Sequence, residues 1–252
     1  MVKALMRGCN GRMGQMISAI VKDTEGIEIT AGVDLYGESR NEYPLFRKVE
    51  DVDVEYDVII DFSQADDTMI PLLEMCAEKQ KPIILCTTGL SEEMLGKMKE
   101  VSSKVAVFKS ANMSLGINLI QKLIKQATEV LAAEGFDIEI VEKHHNQKLD
   151  APSGTALALA DSVNSALEDK YEYAYDRSQR RMKRPKKEIG ISAVRGGSIV
   201  GDHDVIFAGQ DEVITFSHTA YSRAVFAKGA VAAAKFIYGK GPGMYDMSDV
   251  IG

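Results

Sequence analysis

Apolar positions in the first third of the chain fall into short runs separated by amphipathic stretches. Residues 2–6 (VKALM) form one such run, ending at a glycine loop. Over 13–22, Met13, Met16, Ile17, Ile20 and Val21 recur at helical spacing and predict a helix with one apolar face. Runs at 27–33, 58–62 (VIIDF), 82–86 (PIILC) and 105–108 predict strands, with helices over 66–79 and 91–101. Strand and helix in turn imply a parallel sheet with right-handed crossovers.

The pattern changes near Leu115. A long amphipathic helix is predicted over 116–133, an alternating strand over 136–141 (FDIEIV), a polar stretch over 143–150 and a second helix over 155–167. Period-two alternation follows at 188–194, 200–208 and 212–217, which reads as antiparallel strands of an α+β domain. A small-residue helix over 224–238 returns to the style of the first third. The expected fold is therefore α/β. A Rossmann-type dinucleotide-binding domain is built from 1–114 and 222–252, and a second α+β domain on a mixed sheet from 115–221.

Length and composition narrow the function. At roughly 150 residues per domain, 252 residues hold one large or two small domains. Hydrophobic residues make up 45% and charged residues 27%, which excludes a disordered or low-complexity chain. Lys plus Arg number 30 against 37 Asp plus Glu, a net charge of −7, which argues against nucleic acid as a partner. Cys9, Cys76 and Cys86 are too scattered for a disulfide framework, and no CxxC pair suggests a metal site. The early glycines leave no signal-peptide core, and no apolar run approaches the roughly 18 residues of a membrane span. A cytoplasmic protein with no membrane partner is expected.

Two segments carry chemistry. Gly8-Cys9-Asn10-Gly11-Arg12-Met13-Gly14 follows a strand and opens a helix, the context of a dinucleotide loop. Its spacing is G-x-x-G-x-x-G, a pattern that a plain tight turn also satisfies. Asp34, at the end of the second strand, stands where an acid meets the adenosine ribose hydroxyls. Leu35 and Tyr36 follow it, so a 2′-phosphate is expected to meet negative charge.

In the second segment His144, His145 and Lys148 precede Asp150-Ala-Pro-Ser-Gly-Thr155. Imidazoles titrate near neutrality and serve as acid or base. The Ser-Gly-Thr start of the next helix offers N–H groups and hydroxyls to a carboxylate. Adjacent histidines point apart on a strand and no third ligand is evident, so no metal is expected. The basic stretch 177–187 (RSQRRMKRPKK) reads as a solvated loop, and His203 and His218 as structural. Arg195-Gly-Gly197 is either a guanidinium aimed at the pocket or a hairpin turn.

These motifs resemble those of the 4-hydroxy-tetrahydrodipicolinate reductases, also called dihydrodipicolinate reductases. The resemblance rests on GCNGRMG, Cys86-Thr-Thr-Gly89, Ser110-Ala-Asn-Met-Ser114, EKHH at 142–145, Lys148 with DAPSGTA, Arg195-Gly-Gly197, Gly201-Asp-His203 and Tyr245-Asp-Met247. It implies an NADH- or NADPH-dependent oxidoreductase of lysine and diaminopimelate biosynthesis. Such an enzyme takes a small cyclic dicarboxylate substrate and assembles as a homotetramer through its second domain. It assigns Gly8, Cys9, Asn10, Gly11, Arg12 and Met13 to the pyrophosphate and Asp34 to the ribose. Cys86, Thr87, Thr88, Ser110, Ala111, Asn112 and Met113 fall on the cofactor side. His144 and Lys148 become the proton-transfer residues, with His145, Ser153, Gly154 and Thr155 on the substrate. From Asp34, NADH is expected to serve at least as well as NADPH. The family usually has glycine where this chain has Cys86, whose side chain either crowds the nicotinamide end or sits behind the loop. The competing expectations are an inactive nucleotide sensor of the same fold, and an aldehyde dehydrogenase, which would need a nucleophilic cysteine.

Overall fold

The computed structural model describes all 252 residues. In chain order the elements are β1 Val2–Arg7, α1 Arg12–Lys22, β2 Ile27–Val33, β3 Leu45–Phe46, β4 Val58–Asp61, α2 Met69–Glu78, β5 Ile83–Leu85, α3 Glu92–Ser102 and β6 Ala106–Phe108. Then come α4 Leu115–Leu131, β7 Asp137–His144, α5 Gly154–Asn164, β8 Glu172–Ala174, β9 Glu188–Arg195, β10 Gly201–Ala208 and β11 Val213–Ala220. The chain ends with α6 Ala224–Ile237, β12 Gly243–Tyr245 and α7 Met247–Ile251. It divides into two compact units: 1–114 with 224–252, and 115–223.

The first unit is a seven-stranded, all-parallel sheet of order β12-β6-β5-β4-β1-β2-β3. Its central strands are buried on both faces and so read as continuous apolar runs. Ala4 and Met6 join one core with Ile17, Val21, Ala230 and Ala234, while Leu5 joins the other with Leu73, Cys76 and Val101. The chain leaves β1 towards β2 on one side and β4 on the other, a topological switch point where ligands of open α/β sheets bind. α2 begins three residues later than its periodicity predicts. Pro71 has no N–H and fits only the first helical turn, and Asp66 ties up the Thr68 N–H (3.0 Å) just before it.

The second unit holds a five-stranded sheet of order β11-β10-β7-β9-β8. β10 runs antiparallel to β7 and β11, but β9 is parallel to both β7 and β8. The antiparallel reading of 188–194 is thus corrected: alternation reports a half-buried strand, not its direction. Ile138, Ile140, Ile189, Ile191, Val205 and Phe207 form the apolar face, packed with Ile124 of α4 and Leu159 and Val163 of α5.

The basic stretch 177–187 is a largely exposed loop, as expected, but three of its arginines turn back onto the sheet. Arg177 lies bidentate on Glu139 (2.9 and 2.7 Å) and bonds Glu188 (2.8 Å). Arg180 adds two bonds to Glu188, and Arg184 bridges Glu139 and Asp137. These three arginines neutralise carboxylates on β7 and β9, one of them buried.

Candidate active site

In the first unit, the cofactor-side residues sit on loops that leave the C-terminal ends of parallel strands. Gly8 follows β1 with φ +79°, and a Cβ there would lie 2.6 Å from the Phe62 carbonyl oxygen. A Cβ on Gly14 would lie 2.2 Å from the Gly8 carbonyl oxygen. The first turn of α1 therefore rides directly on the loop. Its N-cap, Gly11, makes no side-chain cap, so the leading N–H groups point out with the helix dipole behind them. This cradle suits a dinucleotide pyrophosphate, with exposed Arg12 at its rim.

The loop is tied to β2. Gly8 N–H donates to the Val33 carbonyl (2.8 Å), and the Asp34 carboxylate accepts from the Asn10 N–H (2.9 Å) and the Tyr36 N–H (3.2 Å). Asp34 has a base beside it after all. Arg47 reaches back from beyond β3 to donate to the carbonyls of Asp34 (3.0 Å) and Gly37 (2.8 Å). It was hidden because it lies thirteen residues away and β3 returns it.

At the end of β5, Cys86 packs behind the loop against the first core, and burial pushes its thiol well above the ordinary range. That packing favours the harmless alternative for its side chain. Thr87 is buried and donates to Asp61 (2.5 Å), while Thr88 is exposed. Asp61, fully buried, also accepts from Arg7 (2.9 Å) and Ser63 (2.7 Å). After β6, the Ser110 hydroxyl donates to the Asn112 carbonyl (3.0 Å), Asn112 Oδ1 accepts the Ser114 N–H (2.8 Å), and Met113 turns inward beyond exposed Ala111.

In the second unit, β7 runs three residues further than its apolar alternation predicts, so His144 is its last residue. Residues 138, 140, 142 and 144 share one face. Ile138 and Ile140 fill the core, and the same face ends in Glu142 and His144, both buried. Glu142 Oε2 lies 2.6 Å from His144 Nδ1, and the two carboxylate oxygens each accept one Arg195 N–H at 2.7 Å. Oε1 also accepts the Ser153 N–H (2.9 Å). Burial alone would raise the Glu142 carboxyl, but Arg195, His144 and Ser153 outweigh it and hold it below the usual range. Arg195 thus points inward, and the Gly-Gly pair behind it turns the chain, with Gly196 N–H on the His144 carbonyl (2.9 Å).

Ser153 caps α5, its hydroxyl accepting the Ala156 N–H (3.2 Å). The same oxygen lies 3.0 Å from Nε2 of His203, the β10 residue that pairs with Glu142. His203 also meets the His144 ring edge-on at 5.1 Å. Burial first, then His144, lowers its pKa to about 4, so it is neutral. His203 lies on a strand, as expected, and touches both Ser153 and His144 of this cluster. Lys148 follows a turn closed on the His145 carbonyl and pairs with Asp150 (2.8 Å). That lysine, and the Gly154 N–H at the start of α5, hold the Asp150 carboxyl below its ordinary range. Lys148 and Gly154 are the donors a ligand carboxylate would use, and Thr155 stands next on the helix.

Arg47 lies in none of the motifs, and Glu142 and His203 lie in them without an assigned role in the chemistry; all three are functional candidates. The strand periodicity carried a signal for Glu142: the alternation that buries Ile138 and Ile140 buries Glu142 as well.

Comparison with known proteins agrees with both halves. A family model described as dihydrodipicolinate reductase, N-terminus, matches residues 2–113, and one described as dihydrodipicolinate reductase, C-terminus, matches 116–251. A 4-hydroxy-tetrahydrodipicolinate reductase of Caldanaerobacter subterraneus subsp. tengcongensis is 50% identical, over 100% of this chain and 98% of its own. One from Clostridium tetani is 52% identical, over 98% and 96%. Among solved structures, a dipicolinate-bound dihydrodipicolinate reductase from Paenisporosarcina sp. TG-14 covers 100% of this chain and 99% of its own, at a TM-score of 0.82 and 24% identity. A probable dehydrogenase from Thermotoga maritima follows the same fold at a TM-score of 0.62 and 13% identity. Matched along both units and half identical to such relatives, the chain belongs to the dihydrodipicolinate reductase family of pyridine-nucleotide-dependent oxidoreductases.

Proposed function

We propose that the protein reduces 4-hydroxy-tetrahydrodipicolinate to tetrahydrodipicolinate, with loss of water, in diaminopimelate and lysine biosynthesis. The observation that carries this reading is the cluster at the end of β7. His144, Lys148 and the Ser153–Thr155 helix start gather acid–base groups and anion donors at one place in an acidic chain. Bound NADH or NADPH supplies the hydride. The loop Gly8–Met13 holds the pyrophosphate and Asp34 the ribose, with the 86–88 and 110–113 loops towards the nicotinamide. Ser153, Gly154, Thr155 and His145 hold the carboxylates of the substrate. As electron density moves onto the ring, Lys148 and His144 deliver the proton.

Residues 1–114 and 222–252 then form the dinucleotide domain, and 115–221 the substrate and assembly domain. NADH serves at least as well as NADPH, because the Asp34 carboxylate faces the ribose while Arg47 is engaged by two backbone carbonyls. A titration in which NADPH binds clearly tighter overturns that preference. Exposed Val194, Val213 and Tyr221 on the second unit favour a homotetramer formed there, and light scattering of a monomer at micromolar concentration overturns it. No helix is long and apolar enough to cross a membrane, and we place the enzyme in the cytoplasm.

The activity is tested by adding enzymatically generated substrate to the purified protein and NADH. Nicotinamide absorbance falls, and dipicolinate inhibits competitively against the substrate. Unchanged absorbance with both cofactors refutes the activity, and inhibition competitive only with the nucleotide refutes the placement of the anion site.

A further inference from the structure

We propose that Glu142 is the positioning residue of the proton-transfer site: its carboxylate fixes His144 with Nδ1 protonated and Nε2 as the nitrogen that exchanges protons, and holds Ser153 and Arg195 in the same frame. The proposal rests on the reading of His144 as a proton-transfer residue. An ionised carboxylate only accepts hydrogen bonds. The ring nitrogen 2.6 Å from Oε2 must therefore be the donor, which leaves the lone pair on Nε2. Nothing in the protein hydrogen-bonds to Nε2. The backbone beside it is Gly201, where a Cβ would lie 3.0 Å from that nitrogen, so the missing side chain keeps this edge of the ring clear.

Glu142 reaches three elements at once: its own strand β7, the end of β9 through Arg195, and the start of α5 through Ser153. Its side chain is fully buried, so no water competes for the carboxylate. The charged and titratable groups around the His144 ring are Glu142 on its own strand, Arg195 from β9, His203 from β10, and Lys148 with Asp150 from the following loop. Arg195 has a separate consequence. By lying bidentate on Glu142 it balances the charge, so the carboxylate can orient His144 without setting an uncompensated negative charge beside an anionic substrate.

The test uses the full-length protein. ¹⁵N spectra of its four histidine rings report tautomers without any turnover. Wild-type His144 shows a protonated Nδ1 and a bare Nε2, and Glu142→Gln loses that fixed pattern. In Glu142→Gln, kcat falls about 10- to 100-fold, the range for carboxylates that orient a metal-bound histidine. NADH affinity is unchanged. On a His144→Ala background the same substitution costs less in kcat, because the part of its effect that passes through the ring is already lost. If folded Glu142→Gln keeps the wild-type ring pattern, or if its full penalty persists on the His144→Ala background, the proposal is overturned. Near wild-type turnover in His144→Ala alone would instead refute the underlying reading of His144, and the ring spectra would still decide whether Glu142 fixes the tautomer.

Discussion

Replacing Gly14 by alanine tests whether the glycine loop is built for close backbone approach. In most helices this change stabilises, because glycine costs about 0.5–1 kcal/mol relative to alanine. Here the added Cβ would stand 2.2 Å from the Gly8 carbonyl oxygen and 2.7 Å from Cys9 Cα. All the atoms it meets are backbone, so no side chain can swing away. Restoring ordinary contact moves the loop against α1 by about 1 Å, and overpacking of this kind costs about 1–3 kcal/mol. At about 2–4 °C per kcal/mol for a protein of this size, Tm falls by about 2–12 °C. The shifted loop no longer matches the pyrophosphate, and NADH affinity falls about tenfold or more, since misplacement by about 1 Å can cost 10²-fold in function. Gly96 is the control. It lies inside α3 with nothing within 4 Å of an added Cβ, so Gly96→Ala gains about 0.5–1 kcal/mol and leaves NADH affinity alone. Thermal melts and fluorescence titration of NADH read both effects. A Gly14→Ala protein that melts no lower than wild type and binds NADH equally well refutes the close-approach argument.

Two further outcomes follow from charges in the second unit. Burial depresses His203 to about 4 from 6.5. Between those values the unfolded chain binds a proton that the folded chain does not, so stability falls as pH drops through that window, by up to about 1.4 kcal/mol per pH unit. His203→Asn flattens the slope in denaturant titrations across that range, and an unchanged slope refutes the assignment. Asp150 competes internally for Lys148. Exposed pairs of this kind are worth about 0.2–1 kcal/mol, so Asp150→Asn lowers substrate KM by no more than about fivefold, and a raised KM shows that Asp150 helps bind the substrate instead.

Much of the architecture was legible because local pattern and tertiary role coincide. Apolar runs such as VIID and IIL are buried on both faces of a parallel sheet, and they read as strands for that reason. Short edge elements were not legible. β3 and β12 span two and three residues, too few for any periodicity to register. The direction of β9 could not be read either, since a strand looks the same running parallel or antiparallel. Among the candidate residues, those clustered in sequence were legible, His144, Lys148 and Ser153, and Asp34 was legible from its place at the end of a strand. What escaped were residues brought in by pairing. His203 arrives opposite Glu142 on a neighbouring strand, and Arg47 returns to Asp34 across β3. The purpose of Arg177, Arg180 and Arg184 was equally invisible, because their carboxylate partners lie on other strands.

The most direct test of the account is Lys148→Ala, with kcat and NADH affinity measured on the same preparation. Lys148 belongs to the second unit, and the glycine loop to the first. If Lys148 supplies a proton to the substrate, kcat falls about 10²–10⁴-fold while the dissociation constant for NADH stays at its wild-type value. Turnover within a few-fold of wild type, or a loss of NADH affinity that accounts for the loss of rate, would contradict the account.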